Sequence, residues 1–347
     1  MLPYLFTLLS IANWLLISES VSEKKVGTGR HPSAAADLSG MVHVVYGRGE
    51  NLYYSTTQTG DQFTPAIRVD SLPGLQLGAS RGPQIAASTK SVVILAIDKP
   101  GNIWAYTLDR TSGQWHKRVP VNDAPDIAKE GFLGLTAEPD NSYMAAWLDL
   151  RGNKRNKLVG ARSVDGGKSW SANKVLYESP DGTICECCQV SVVSHGKQVA
   201  IMFRNFLNGF RDMYLLQSTD GGQTFGKAKK LGKGTWKLAA CPMDGGGLSV
   251  DQAGHLSTVW RRADTLYTAR PGQPETELTT GKNAKIASTS HGDYLVFQKA
   301  EQLWAVTPQQ KQPVALGPGA YAKLAQLNNN RVLCIWEHDG NVWAKIL

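Results

Sequence analysis

Beyond its first twenty residues, the 347-residue chain has no apolar run long enough to cross a bilayer, which excludes a later membrane-spanning helix. It has no basic stripe either: lysine and arginine are scattered, apart from short clusters such as Lys227–Lys233. The formal net charge of +8 is modest for this length. Nothing resembles a nucleic-acid module, so no nucleic acid is expected as a partner; an acidic ligand would not be repelled. No linker and no break in composition divides residues 21–347, which therefore read as one domain. Cysteine is sparse, with five residues in all. Turn and aromatic chemistry, in contrast, is plentiful: 35 Gly and 10 Trp fit a turn-rich all-β protein with aromatic packing between sheets.

The opening stretch MLPYLFTLLSIANWLLIS is apolar and ends in Ser18-Glu19-Ser20, a small-x-small cleavage pattern. No Lys or Arg precedes it, and Asn13 interrupts it. Residues 1–20 are expected to be a cleaved signal peptide, with an uncleaved anchor as the alternative, and the protein to be secreted or periplasmic. An oxidising compartment favours disulfides. Cys185, Cys187, Cys188 and Cys241 are accordingly expected to form two bridges of unspecified pairing. Cys334, inside the apolar run RVLCIW, reads as a buried free thiol. The spacing in CECC differs from paired zinc-ligand motifs, so no metal is expected; a soft-metal site that includes Met243 is the alternative.

Two octapeptides are nearly identical: SVDGGKSW at Ser163–Trp170 and STDGGQTF at Ser218–Phe225. Asp bonds its own backbone two residues on, and Gly supplies positive φ, so each copy reads as a hairpin turn after a strand. The surrounding pattern recurs seven times. Each unit has a small-residue strand, a turn, a strongly apolar strand, and then further strands, with the second strands starting near 42, 92, 143, 198, 255, 293 and 331. Four strands per unit of this length is the signature of a β-propeller blade, and a closed ring covers sheet faces and edges that one large sheet would expose. The fold is expected to be all-β, a seven-bladed propeller. Its last unit ends after three strands, and Lys24–Gly27 is expected to supply the fourth. The cysteines other than Cys334 would then gather at the junction of blades four and five.

S-x-D-x-G-x-x-W resembles the Asp-box of sialidases and related propellers, in which the box is a structural hairpin away from the active site. Asp165 and Asp220 are then fold markers. The resemblance implies three arginines that grip a sialic acid carboxylate, a tyrosine nucleophile activated by a glutamate, and an acid that protonates the leaving group. By position, Arg30 in Arg30-His31-Pro32 is similar to the first arginine, Arg204 in MFRN to the second, and Arg261 or Arg262 in VWRR to the third. Tyr321, followed by Ile335-Trp336-Glu337, is similar to the nucleophile, and Glu186 to its activator. The family's acid aspartate has no counterpart in the loop GRGEN, where Glu50 is the one carboxylate. The family has six blades, which makes a six-bladed propeller the alternative architecture.

Alignment of the opening strands places Arg30, Arg81, Glu130 and Glu186 at one register, close to that of Met243-Asp244. The ends of the second strands bring Arg48, Asp149, Arg151, Arg204, Arg261, Arg262, Lys299 and Glu337 to the same face. These charges either pair with one another around the channel or bind an anion. The favoured function is a sialidase-like glycoside hydrolase on an acidic sugar, with no cofactor. The alternatives are a catalytically silent propeller that binds glycan or protein, and a lyase on acidic polysaccharide. The expected partner is an acidic glycan or small anion, at Arg30, Arg81, Arg204, Arg261 and Arg262.

Overall fold

The computed structural model describes residues 22–347; the expected signal peptide lies outside the described residues. Seven antiparallel sheets form the blades of a propeller. From the axis outward, blade one is Arg30–Ala36, Val42–Arg48, Asn51–Thr57 and Ile67–Ser71. Blades two to six begin with the inner strands Gln84–Ala87, Leu133–Ala137, Ser191–His195, Gly247–Val250 and Lys282–Thr289. Blade seven contributes Ala320–Gln326, Val332–His338 and Asn341–Ile346.

The second strand of each blade is sandwiched between neighbouring blades, so both of its faces are apolar rather than alternating. Ser91–Ile97 and Tyr143–Asp149 are buried at every position. Each junction between blades has its own apolar cluster. Trp147 anchors the one between blades two and three, and Trp336 the one between six and seven. The remaining five junctions are filled in the same way.

The strand Lys24–Thr28 completes blade seven. It pairs antiparallel with Asn341–Ile346, with Lys24 opposite Ala344 and Thr28 opposite Asn341. Val26 buries its side chain in the cluster between blades seven and one. The two ends of the described chain therefore share one sheet, as the three-stranded last repeat predicts.

The two Asp-Gly-Gly segments are equivalent turns between the third and fourth strands of blades three and four. In the first, Asp165 Oδ1 accepts from the N–H groups of Lys168 (3.1 Å) and Ser169 (3.0 Å). In the second, Asp220 Oδ1 accepts from those of Gln223 (2.9 Å) and Thr224 (2.9 Å). Trp170 and Phe225 each pack into the junction with the preceding blade. Strands alternate in direction, so these turns lie on the face opposite the one where the inner strands begin.

Candidate functional site

Three adjacent blades open in the same way. The inner strands of blades six, seven and one each carry a register shift at their start, between Lys282 and Lys285, Ala320 and Lys323, and Arg30 and Ser33. One residue in each bulge is left-handed: Asn283 (φ 54°), Tyr321 (φ 54°) and His31 (φ 50°). Positive φ is uncommon for such residues, and a bulge re-aims a side chain. All three line one narrow axial pocket, a cavity of about 20 Å³ that opens to solvent. Arg81, Gln84 and Gln189 line it from blades two and four, with Lys285 and Lys323 deeper in blades six and seven.

The lining is cationic. Among the described residues it includes Arg81, Lys285 and Lys323 and no carboxylate. Arg81 donates Nε to the Glu130 carbonyl at 2.6 Å and lies 4.4 Å from the centre of the Phe132 ring. These two contacts fix the guanidinium at the pocket wall. Lys285 Nζ donates to the Gly246 carbonyl at 2.5 Å. Burial pulls its pKa down, opposed by Asp244. Burial, and then the neighbouring charge of Lys285, lowers Lys323 to about 7.

His31 lies beside Tyr321, with ring centroids 4.8 Å apart at 44°. Its side chain is 3% exposed, and neither ring nitrogen has a hydrogen-bond partner. Its main-chain N–H donates to Glu337 Oε2 at 2.7 Å, and the same oxygen lies 3.6 Å from Nε2. Burial lowers the His31 pKa to about 4, against the pull of Glu337, so the ring is neutral near pH 7. An unpartnered neutral imidazole in a cation-lined pocket can accept a proton from a bound acid sugar.

Of the residues expected from the sequence, Arg81 and Tyr321 line this pocket. Arg30 stands at the rim, paired with Glu337 Oε1 at 3.2 Å and half-exposed. Arg204 is buried, and its guanidinium donates to the backbone carbonyls of Asp244 (3.0 and 3.1 Å), Arg211 (2.8 Å) and Arg261 (3.1 Å). With its donors committed to the main chain, it braces blades four and five rather than facing the pocket. Arg261 lies 3.7 Å from the Asp244 carboxylate. Arg262 forks onto Glu275 at 2.8 and 2.9 Å, facing away from the axis set. Glu186 sits 3.5 Å from Arg211 Nη1 and is not among the lining residues. Glu50 accepts the Gly74 N–H at 2.7 Å and is exposed in its turn.

The expected disulfides are absent: all five cysteines are free thiols. Cys185, Cys187 and Cys188 form a buried group, but Cys241 is exposed and stands outside it. The chain passes Cys241 in a surface loop ahead of blade five, which keeps its sulfur from the other three. Cys334 is buried between blades six and seven, as its apolar setting predicts.

His31, Asn283, Lys285 and Lys323 were not singled out in the sequence. A signal for the last three exists in the matching stretches Asn283-Ala-Lys-Ile-Ala and Tyr321-Ala-Lys-Leu-Ala, which place a lysine at the same step of adjacent inner strands.

No protein-family model matches the chain, and no curated protein matches its sequence. Solved propellers do match its shape. A polysaccharide lyase of family PL25, an ulvan lyase bound to -[GlcA(1-4)Rha3S]-, overlays with a TM-score of 0.56 at 11% identity, covering 94% of this chain and 94% of that one. The virginiamycin B lyase of Staphylococcus aureus overlays with a TM-score of 0.54 at 14% identity, over 94% of this chain and 98% of that one. The NanB sialidase of Streptococcus pneumoniae reaches a TM-score of 0.44 at 11% identity, over 95% of this chain and 69% of that one. At such identities the likeness extends to the fold alone: the chain is a seven-bladed β-propeller.

Proposed function

We propose that the protein is exported and binds an acidic glycan in the axial pocket, and that its chemistry there is elimination at a uronate rather than hydrolysis of a sialoside. The observation that carries this reading is the pairing of a neutral, unpartnered His31 with Tyr321 beside three cationic side chains. Arg81 and Lys323 would neutralise the uronate carboxylate, which acidifies the adjacent C–H. His31 takes that proton, a C=C bond forms, and the C–O bond to the leaving sugar breaks. Tyr321 gives its phenolic proton to the leaving oxygen and regains one as His31 is deprotonated, so no water is consumed. Support from likeness is confined to the fold, but one of the similar propellers is a lyase bound to a glucuronate-containing chain. The hydrolytic reading, with Asp-box hairpins as a family mark, needs a carboxylate beside Tyr321; Glu186 is instead directed to Arg211.

The test is to offer uronate-containing polysaccharides and a fluorogenic sialoside to the purified protein. Elimination raises short-wavelength ultraviolet absorbance through the new C=C conjugated with the carboxylate. Loss of that signal in His31→Ala and Tyr321→Phe, with binding kept in calorimetry, supports the proposal. Turnover of the sialoside alone replaces elimination with hydrolysis. Absence of binding by every acidic sugar rejects the site.

A further inference from the structure

Three sulfurs gather in the buried turn ahead of the inner strand of blade four. Cys185 Sγ lies 3.6 Å from Cys187 Sγ and 3.5 Å from Cys188 Sγ, and all three lie within 4.8 Å of one another. Each residue is at most 4% exposed. The sulfurs are not bonded to each other. Three sulfurs at about 2.3 Å from one ion in a plane would stand about 4 Å apart, so the spacing suits a shared metal after small adjustments. Zinc in a structural site takes four ligands. Among the described residues no carboxylate or imidazole joins the three thiols.

The charge around the group has the sign that such a site needs. Arg211 Nη1 touches Cys185 Sγ at 3.1 Å. The Cys185 N–H donates to the Arg204 carbonyl at 3.1 Å, which brings that residue against the group. Arg204 is 2% exposed, and none of its hydrogen bonds goes to a carboxylate. A buried guanidinium without a counter-ion is costly. Three neutral thiols do not relieve that cost, whereas three thiolates around a single positive ion carry net negative charge and do. Soft thiolate ligands select copper(I), which accepts three-coordination.

We propose that Cys185, Cys187 and Cys188 bind one copper(I) ion as a buried trigonal thiolate site, with Arg211 and Arg204 as its counter-charges. Binding releases the three thiol protons to solvent and changes no oxidation state. The sulfurs themselves explain why CECC lacks paired zinc-ligand spacing: a tight turn supplies all three from four consecutive residues.

The experiment uses the full chain, reduced under anaerobic conditions and titrated with the copper(I)–bicinchoninate complex. The expected result is withdrawal of one copper(I) per chain, with an X-ray absorption spectrum of a sulfur-only first shell. Cys185→Ser, Cys187→Ser and Cys188→Ser should each lose that withdrawal, and Cys241→Ser and Cys334→Ser should keep it. Near-ultraviolet circular dichroism separates loss of the site from loss of the fold; the wild-type titration stands without any variant. Failure of the reduced wild type to withdraw copper overturns the proposal. So does retention of zinc in preference to copper, or a disulfide among the three cysteines in the isolated protein.

Discussion

The main-chain N–H of His31 donates to Glu337 Oε2 at 2.7 Å, across the seam where the first and last blades meet. The same carboxylate holds Arg30, at 3.2 Å from its other oxygen, and is itself mostly buried. Glu337 therefore fixes the left-handed turn that aims His31 inward. Removal of the carboxylate in Glu337→Ala leaves a buried N–H without an acceptor. That should cost roughly 1–3 kcal/mol. Glu337→Gln keeps an acceptor oxygen and should lose less. Urea denaturation of the three proteins checks the order; an alanine variant as stable as the wild type would sink it.

The seam also depends on the first described strand. Val26 is 8% exposed and fills the cluster between blades seven and one. Loss of its burial costs about 1.5–3 kcal/mol, and an aspartate there adds an unpaired charge. Val26→Asp should lower the midpoint of thermal unfolding by several degrees. Lys25→Asp, at a neighbouring exposed position, should leave the midpoint nearly unchanged. Equal midpoints for the two variants would mean that the strand does not close the ring.

How far the sequence could be read depended on what kind of signal each residue left. The blades were legible because their second strands, such as SVVILAI, are apolar on both faces. The site was legible only in part. Arg204 occupies the register of a ligand grip, and nothing in MFRN reveals that four hydrogen bonds turn its guanidinium to carbonyls. Lys285 and Lys323 alternate with small residues as any polar strand position would. Only closure of the ring brings them together under Tyr321. The cysteines were read through compartment chemistry, and the surface position of Cys241 is a property of the loop path, not of spacing.

Turn chemistry gives a paired test. Gly167 has φ +86°, and a Cβ there would meet Val93 Cγ2 of the preceding blade. Gly113 has φ +71°, with nothing within 4 Å of its would-be Cβ. Alanine at either site is strained by the backbone alone, by roughly 1 kcal/mol. Only at Gly167 must a neighbouring blade also yield, an added cost of about 1–3 kcal/mol. Gly167→Ala should therefore be clearly less stable than Gly113→Ala in guanidinium melts. Indistinguishable variants would show that the turn does not press on blade two.

Lys323 makes the pocket pH-dependent. Its folded pKa of about 7 lies below that of an unfolded lysine because the folded chain buries it, next to Lys285. Below about pH 7 it is charged in both states, and the folded protein bears the full burial cost. Between about 7 and about 10.4 the unfolded chain still binds the proton that the folded chain has released, so this group makes stability rise with pH across that window. Ligand binding runs the other way. The charged form attracts a carboxylate, while His31 is already neutral. The affinity for glucuronate should fall about tenfold or more between about pH 6 and about pH 8, the loss of one charged hydrogen bond. Lys323→Met should bind weakly and without that slope; Arg81→Met should bind weakly and keep it. Calorimetry at the two pH values separates these outcomes, and a wild-type affinity indifferent to pH would remove Lys323 from the site.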